Sequence, residues 1–105
     1  MRIELLWFSD CPNHEAAERM LRERLNAFEI DAPIQSVQVE DESLAKEVCF
    51  PGSPTIRIDG IDVEPEWTPC EDCTPRCRLY ATSQGLRGLP EVSWIDAALQ
   101  RALSQ

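Results

Sequence analysis

The 105-residue sequence is short of basic side chains, of histidine and of long apolar runs. Ten Lys and Arg against nineteen Asp and Glu leave a formal charge of −9, which repels phosphate backbones and anionic lipid surfaces. Neither nucleic acid nor a membrane is therefore an expected partner. The opening MRIELLWFSD holds an apolar stretch of only a few residues with Glu4 inside it, too short for a signal segment or a bilayer span, so the expected location is cytoplasmic. No repeat or low-complexity segment divides the chain, and its length has room for one domain, 1–105.

What is present is cysteine. With 43% hydrophobic residues the chain can build a core without disulfides. Five cysteines and no export signal then point to thiols used for redox chemistry or metal rather than to a structural disulfide framework.

The pattern predicts an α/β domain in the order β-α-β-α-β-β-α. Residues 3–8 (IELLWF) are nearly continuously apolar, as in a strand buried on both faces. From His14 to Phe28, Ala17, Met20, Leu21, Leu25 and Phe28 recur at three- and four-residue spacings, which predicts an amphipathic helix. IQSVQV (34–39) reads as a second strand parallel to the first. DESLAKEVC (41–49) reads as a short helix capped by Asp41 or Ser43 and stopped at Phe50-Pro51-Gly52. Ile56/Ile58 and Ile61/Val63 flank Asp59-Gly60, a short hairpin signal. A cysteine-containing loop insertion follows at about 64–88. Pro90 then opens a last helix whose apolar stripe is Trp94, Ile95, Ala98, Leu99 and Ala102.

Chemistry concentrates at the first strand-to-helix turn, Ser9-Asp10-Cys11-Pro12-Asn13-His14. Amide groups and the helix dipole at a helix start favour a thiolate, so Cys11 is the candidate nucleophile. His14, in the first turn, is a candidate catalytic partner, while Asp10, Glu15 and Glu18 oppose a lowered pKa.

The element order and two motifs resemble the thioredoxin-like fold. Trp7 through His14 is similar to that family's redox loop, and Gly52-Ser53-Pro54-Thr55 before a strand is similar to its cis-proline loop. The resemblance covers roughly 2–66 and 89–104. It implies a three-layer fold, with a mixed four-stranded sheet and helices on both faces. It also implies a cis peptide bond before Pro54, with the Ser53 backbone open to an extended substrate. Trp7, Pro12, Asn13, Ser53, Pro54 and Thr55 are the substrate-binding residues so implied. The family's second thiol is missing, with His14 in its place, and Leu5 stands where thioredoxins carry a buried aspartate. Pro12 is more like glutaredoxins, but Asp10 precedes the cysteine where those proteins carry a basic residue, which argues against glutathione.

A second cluster, Cys70, Cys73 and Cys77, is spaced C-x2-C-x3-C. Three soft donors so close suit zinc or another thiophilic metal such as mercury or copper(I), with Cys11, Cys49, His14 or a carboxylate as fourth ligand. Alternatively a loop cysteine resolves a mixed disulfide on Cys11, or Cys70 and Cys73 form their own redox pair. Cys49 reads as a packing residue, and Trp67 as a lid or an anchor of the loop. The Phe-x-x-Cys-Pro-Asn opening, the Gly-Ser-Pro-Thr loop and Cys77-Arg78-Leu79-Tyr80 also resemble thioredoxin-like proteins described with mercury and organomercurial resistance.

Three functions are therefore expected in order. The first is a thiol-dependent redox protein with a single-cysteine active site, in which Cys11 attacks and Cys77 or another loop thiol resolves. Its partner would be a protein or small-molecule thiol or disulfide. The second is a soft-metal module, extending to an alkylmercury lyase-like activity. The third is a partner-binding scaffold without chemistry.

Overall fold

The computed structural model describes residues 1–65, 67 and 73–104. The apolar run becomes strand β1 (Ile3–Trp7), an interior strand of a four-stranded mixed sheet. One neighbour is β2 (Ile34–Gln38), parallel to it; the other is β3 (Thr55–Ile58), antiparallel, and β4 (Ile61–Asp62) closes the order β2-β1-β3-β4. The alternating faces of β1 enter two separate cores. Ile3 and Leu5 pack with Leu21 and Leu25 of helix α1 (His14–Ala27) and with Ile95 and Leu99 of helix α3 (Val92–Leu103). Leu6 packs on the opposite side with Val39, with Phe50 and with Ala45 of the short helix α2 (Glu42–Glu47). Helices therefore cover both faces, which is why β1 carries so few polar residues.

Local chemistry explains the boundaries. Asp41 caps α2 by accepting the Leu44 N–H at 2.8 Å. That helix is shorter than the 41–49 expected, because Cys49 takes a left-handed conformation (φ 53) that ends it ahead of Phe50. The turn between β3 and β4 places Asp59 (φ 53) and Gly60 (φ 82) both in the left-handed region, as a two-residue type I′ hairpin requires. The Ser53–Pro54 bond is cis.

Two expectations about the C-terminal third need correction. The segment 64–88 is not all loop: Tyr80–Thr82 (β5) and Gly85–Arg87 (β6) form an antiparallel hairpin. Ser83 and Gln84 make its turn, and Gly85 sits at φ 98, a conformation glycine adopts without steric penalty. The last helix also starts later than Pro90. Glu91 is extended (φ −71, ψ 141), its carboxylate held by the Ser83 N–H and the Ser93 hydroxyl, so helical geometry begins at Val92. Among the described residues no helix is long and apolar enough to cross a membrane.

Candidate functional site

The site lies where the β1–α1 turn meets the Gly52–Thr55 loop. A turn closed by Cys11 N–H donating to the Phe8 carbonyl at 3.0 Å brings Cys11 under that loop. Cys11 is 1% exposed, and its thiol donates to the Ser53 carbonyl at 3.3 Å. His14 does not reach the sulfur. Its Nδ1 donates to the Cys11 carbonyl at 3.0 Å, and its ring stacks on Trp7 at 4.4 Å with planes 14° apart. Trp7 is oriented in turn by its Nε1–H, which donates to Ser36 Oγ at 2.8 Å. Two of the candidate residues thus brace the turn around the thiol.

The Ser53 backbone is not open to a substrate, contrary to expectation. Its N–H donates to the Arg76 carbonyl at 2.7 Å and its carbonyl accepts the Arg78 N–H at 2.9 Å, a parallel bridge between Ser53 and Cys77. The chain's own 76–78 segment occupies the edge. As a result Ser53, Pro54 and Thr55 are all buried, and Ser53 Oγ has no hydrogen-bond partner among the described residues.

The bridge sets Cys77 beside the buried thiol, because the residue it pairs with, Ser53, is the one whose carbonyl accepts Cys11 Sγ. Interaction with the Cys11 side chain, then burial, then the Cys11 and Asp10 charges push the Cys77 thiol above the ordinary cysteine range. Both cysteines are free, as is Cys49. The structure therefore brings together two sulfurs that stand far apart in sequence, one buried and one at the surface.

A buried ionic latch, missed in the sequence, holds this arrangement. Arg78, 6% exposed, makes a two-pronged pair with Asp62, 4% exposed, through Nη1–Oδ2 at 2.7 Å and Nη2–Oδ1 at 3.0 Å. It also donates to Glu64 at 3.0 Å and to Thr55 Oγ1 at 3.0 Å, and its guanidinium lies 4.2 Å from the centre of the Tyr80 ring. Burial works against the charge of Arg78, but the Asp62 hydrogen bonds and the surrounding carboxylates raise its pKa further. The Tyr80 hydroxyl donates to the Pro54 carbonyl, and burial pushes that phenol well up. Gly52 admits the latch: at φ +133 a Cβ there would lie 2.8 Å from Arg78 Cβ and 3.0 Å from Arg78 Cα. The one available sequence signal was the alternation in Arg78-Leu79-Tyr80, whose outer members are buried and whose middle one is exposed.

The remaining candidates are dispersed. Pro12 is exposed. Asn13 lines a cleft of about 610 Å³ between α1, the β5–β6 hairpin and the start of α3. Trp67 lines a second cleft, of about 410 Å³, together with Pro51, Arg76, Cys77 and Leu79. Of the proposed metal ligands, Cys73 is disulfide-bonded, with its sulfur 3.9 Å from Cys49 Sγ, Cys77 lies on the bridge to Ser53, and Cys70 lies outside the described residues. No group of three His, Cys, Asp or Glu side chains placed to share a metal ion occurs among the described residues. No family model, curated protein or solved structure matches the chain.

Proposed function

We propose that this chain is a thioredoxin-like thiol redox protein whose working couple is Cys11 and Cys77. The observation that carries the reading is that one residue, Ser53, accepts the Cys11 thiol on its carbonyl at 3.3 Å and is bridged to Cys77. A dithiol couple needs a second sulfur positioned to attack a mixed disulfide and release its product. In this sequence position 14 is histidine, and Cys77 supplies the second sulfur from another part of the fold. Oxidation forms the Cys11–Cys77 bond with loss of two electrons and two protons to an acceptor disulfide, which leaves as two thiols. The mixed sheet with helices on both faces and the strand-to-helix position of Cys11 support the thioredoxin-like reading. Against the soft-metal reading, Cys73 is held in a disulfide and Cys77 lies on the bridge to Ser53.

The test is disulfide mapping. Protein titrated with a mild disulfide oxidant, blocked with an alkylating agent and digested without reductant should yield a peptide linking Cys11 to Cys77. Dithiothreitol should return both thiols. Oxidised protein in which Cys11 and Cys77 are never joined would refute the proposal.

A further inference from the structure

Exposure divides the two thiols sharply. Cys11 is 1% exposed and lies beneath the Gly52–Thr55 loop, whereas Cys77 is at the surface. An external reagent that approaches the closed site therefore meets Cys77. A cleft of about 410 Å³ opens on Cys77, lined by Pro51, Trp67 and Leu79 on its apolar side and by Glu64, Arg76 and Arg78 on its charged side. That volume falls at the small end of ligand pockets, which run from about 300 to 1,000 Å³. The backbone edge that would receive an extended peptide is already paired, N–H and carbonyl alike, by Arg76 and Arg78.

Taking the Cys11–Cys77 couple as given, we infer that Cys77 is the thiol that exchanges with outside partners, that its partner is a low-molecular-weight disulfide seated in the Trp67–Leu79 cleft, and that Cys11 is the buried resolving thiol. This reverses the roles expected from sequence. In the forward direction the Cys77 thiolate attacks one sulfur of the small disulfide, forming a mixed disulfide and expelling one thiolate. Cys11, losing its proton to solvent, then attacks Cys77 Sγ, forming the internal disulfide and expelling the second. Two protein thiols are oxidised and one external disulfide is reduced to two thiols.

The reverse direction fits the same assignment. An incoming thiolate attacks the exposed Cys77 sulfur and Cys11 departs. Attack on the opposite sulfur would require entry under the loop, where Cys11 is 1% exposed.

The experiment uses 2-hydroxyethyl disulfide, a neutral probe, with acid quenching and peptide mapping to locate each adduct. In Cys11→Ala a stable mixed disulfide should accumulate on Cys77 at the wild-type rate or faster. In Cys77→Ala modification of Cys11 should be at least about tenfold slower, because access governs the encounter. Wild-type protein treated with limiting iodoacetamide should carry its label on Cys77 before Cys11, a readout that needs no variant to fold. Labelling of Cys11 first, or undiminished modification of Cys11 in Cys77→Ala, would overturn the inference. Failure of wild-type protein to form the Cys11–Cys77 disulfide at all would instead overturn the underlying redox reading.

Discussion

Replacing Arg78 by leucine removes the centre of the latch and leaves the Asp62 carboxylate buried with no counter-ion. Four hydrogen bonds to Asp62, Glu64 and Thr55 are lost, two of them in a bidentate pair. Breaking a buried pair from one side costs about 3 to 5 kcal/mol, because the surviving charge has given up its hydration for nothing. Against a domain stability of about 5 to 15 kcal/mol, that is a large fraction of the total. Urea unfolding followed by tryptophan fluorescence should show this loss in Arg78→Leu. The double change Arg78→Leu with Asp62→Leu should recover most of it, since removing both charges removes the stranded one. Recovery should remain incomplete by about 1 kcal/mol, because Asp62 Oδ1 also accepts the Glu64 N–H at 2.9 Å. A loss in the single variant below about 1 kcal/mol, or a double variant no more stable than the single, would refute the view that this pair clamps the loop.

Two further outcomes follow from the geometry. The neighbouring Cys11 side chain holds the Cys77 pKa up, so the pH profile of Cys77 alkylation should shift to lower pH in Cys11→Ala, with faster labelling at neutral pH; an unchanged profile would show that the two sulfurs do not interact. Cys11 and Cys77 close a chain loop of about 66 residues, and the chain-entropy model gives such a bond about 4 kcal/mol of stabilisation. Urea midpoints of the Cys11–Cys77 oxidised and reduced forms should differ accordingly, and equal midpoints would rule out that linkage.

The elements that sequence disclosed are those governed by local periodicity. Strand β1, helix α1 and the Asp59-Gly60 hairpin each carry their pattern within a few residues. Cys11 was legible for the same reason, because a cysteine between an apolar strand and an amphipathic helix can be placed without knowing the rest of the fold. The destination of residues 73–87 was not legible. It depends on a buried arginine paired with an aspartate sixteen positions earlier and on a glycine that leaves room for its backbone. Arg78 and Asp62 read as ordinary surface charges until the pairing that permits their burial is known. Misjudging that segment hid the β5–β6 hairpin. It also left the Ser53 edge apparently open, when the chain's own Arg76–Arg78 segment lies on it.

The separation of the two thiols changes what the fold must do for the reaction. A pair within one helical turn is held together by local geometry. Here a thiol on the β1–α1 turn meets one on a bridge to Ser53, and that encounter exists only while the sheet, the Gly52 loop and the Arg78 latch are assembled. On the proposed reading, effective concentration at the couple is a tertiary property, supplied by a preorganised backbone rather than by a flexible link, which would give only about millimolar values. The same assembly also buries Cys11 and pairs the Ser53 backbone with Arg76 and Arg78. The latch thus contributes in two ways at once: it seats Cys77 opposite Ser53 and leaves that thiol exposed to solvent.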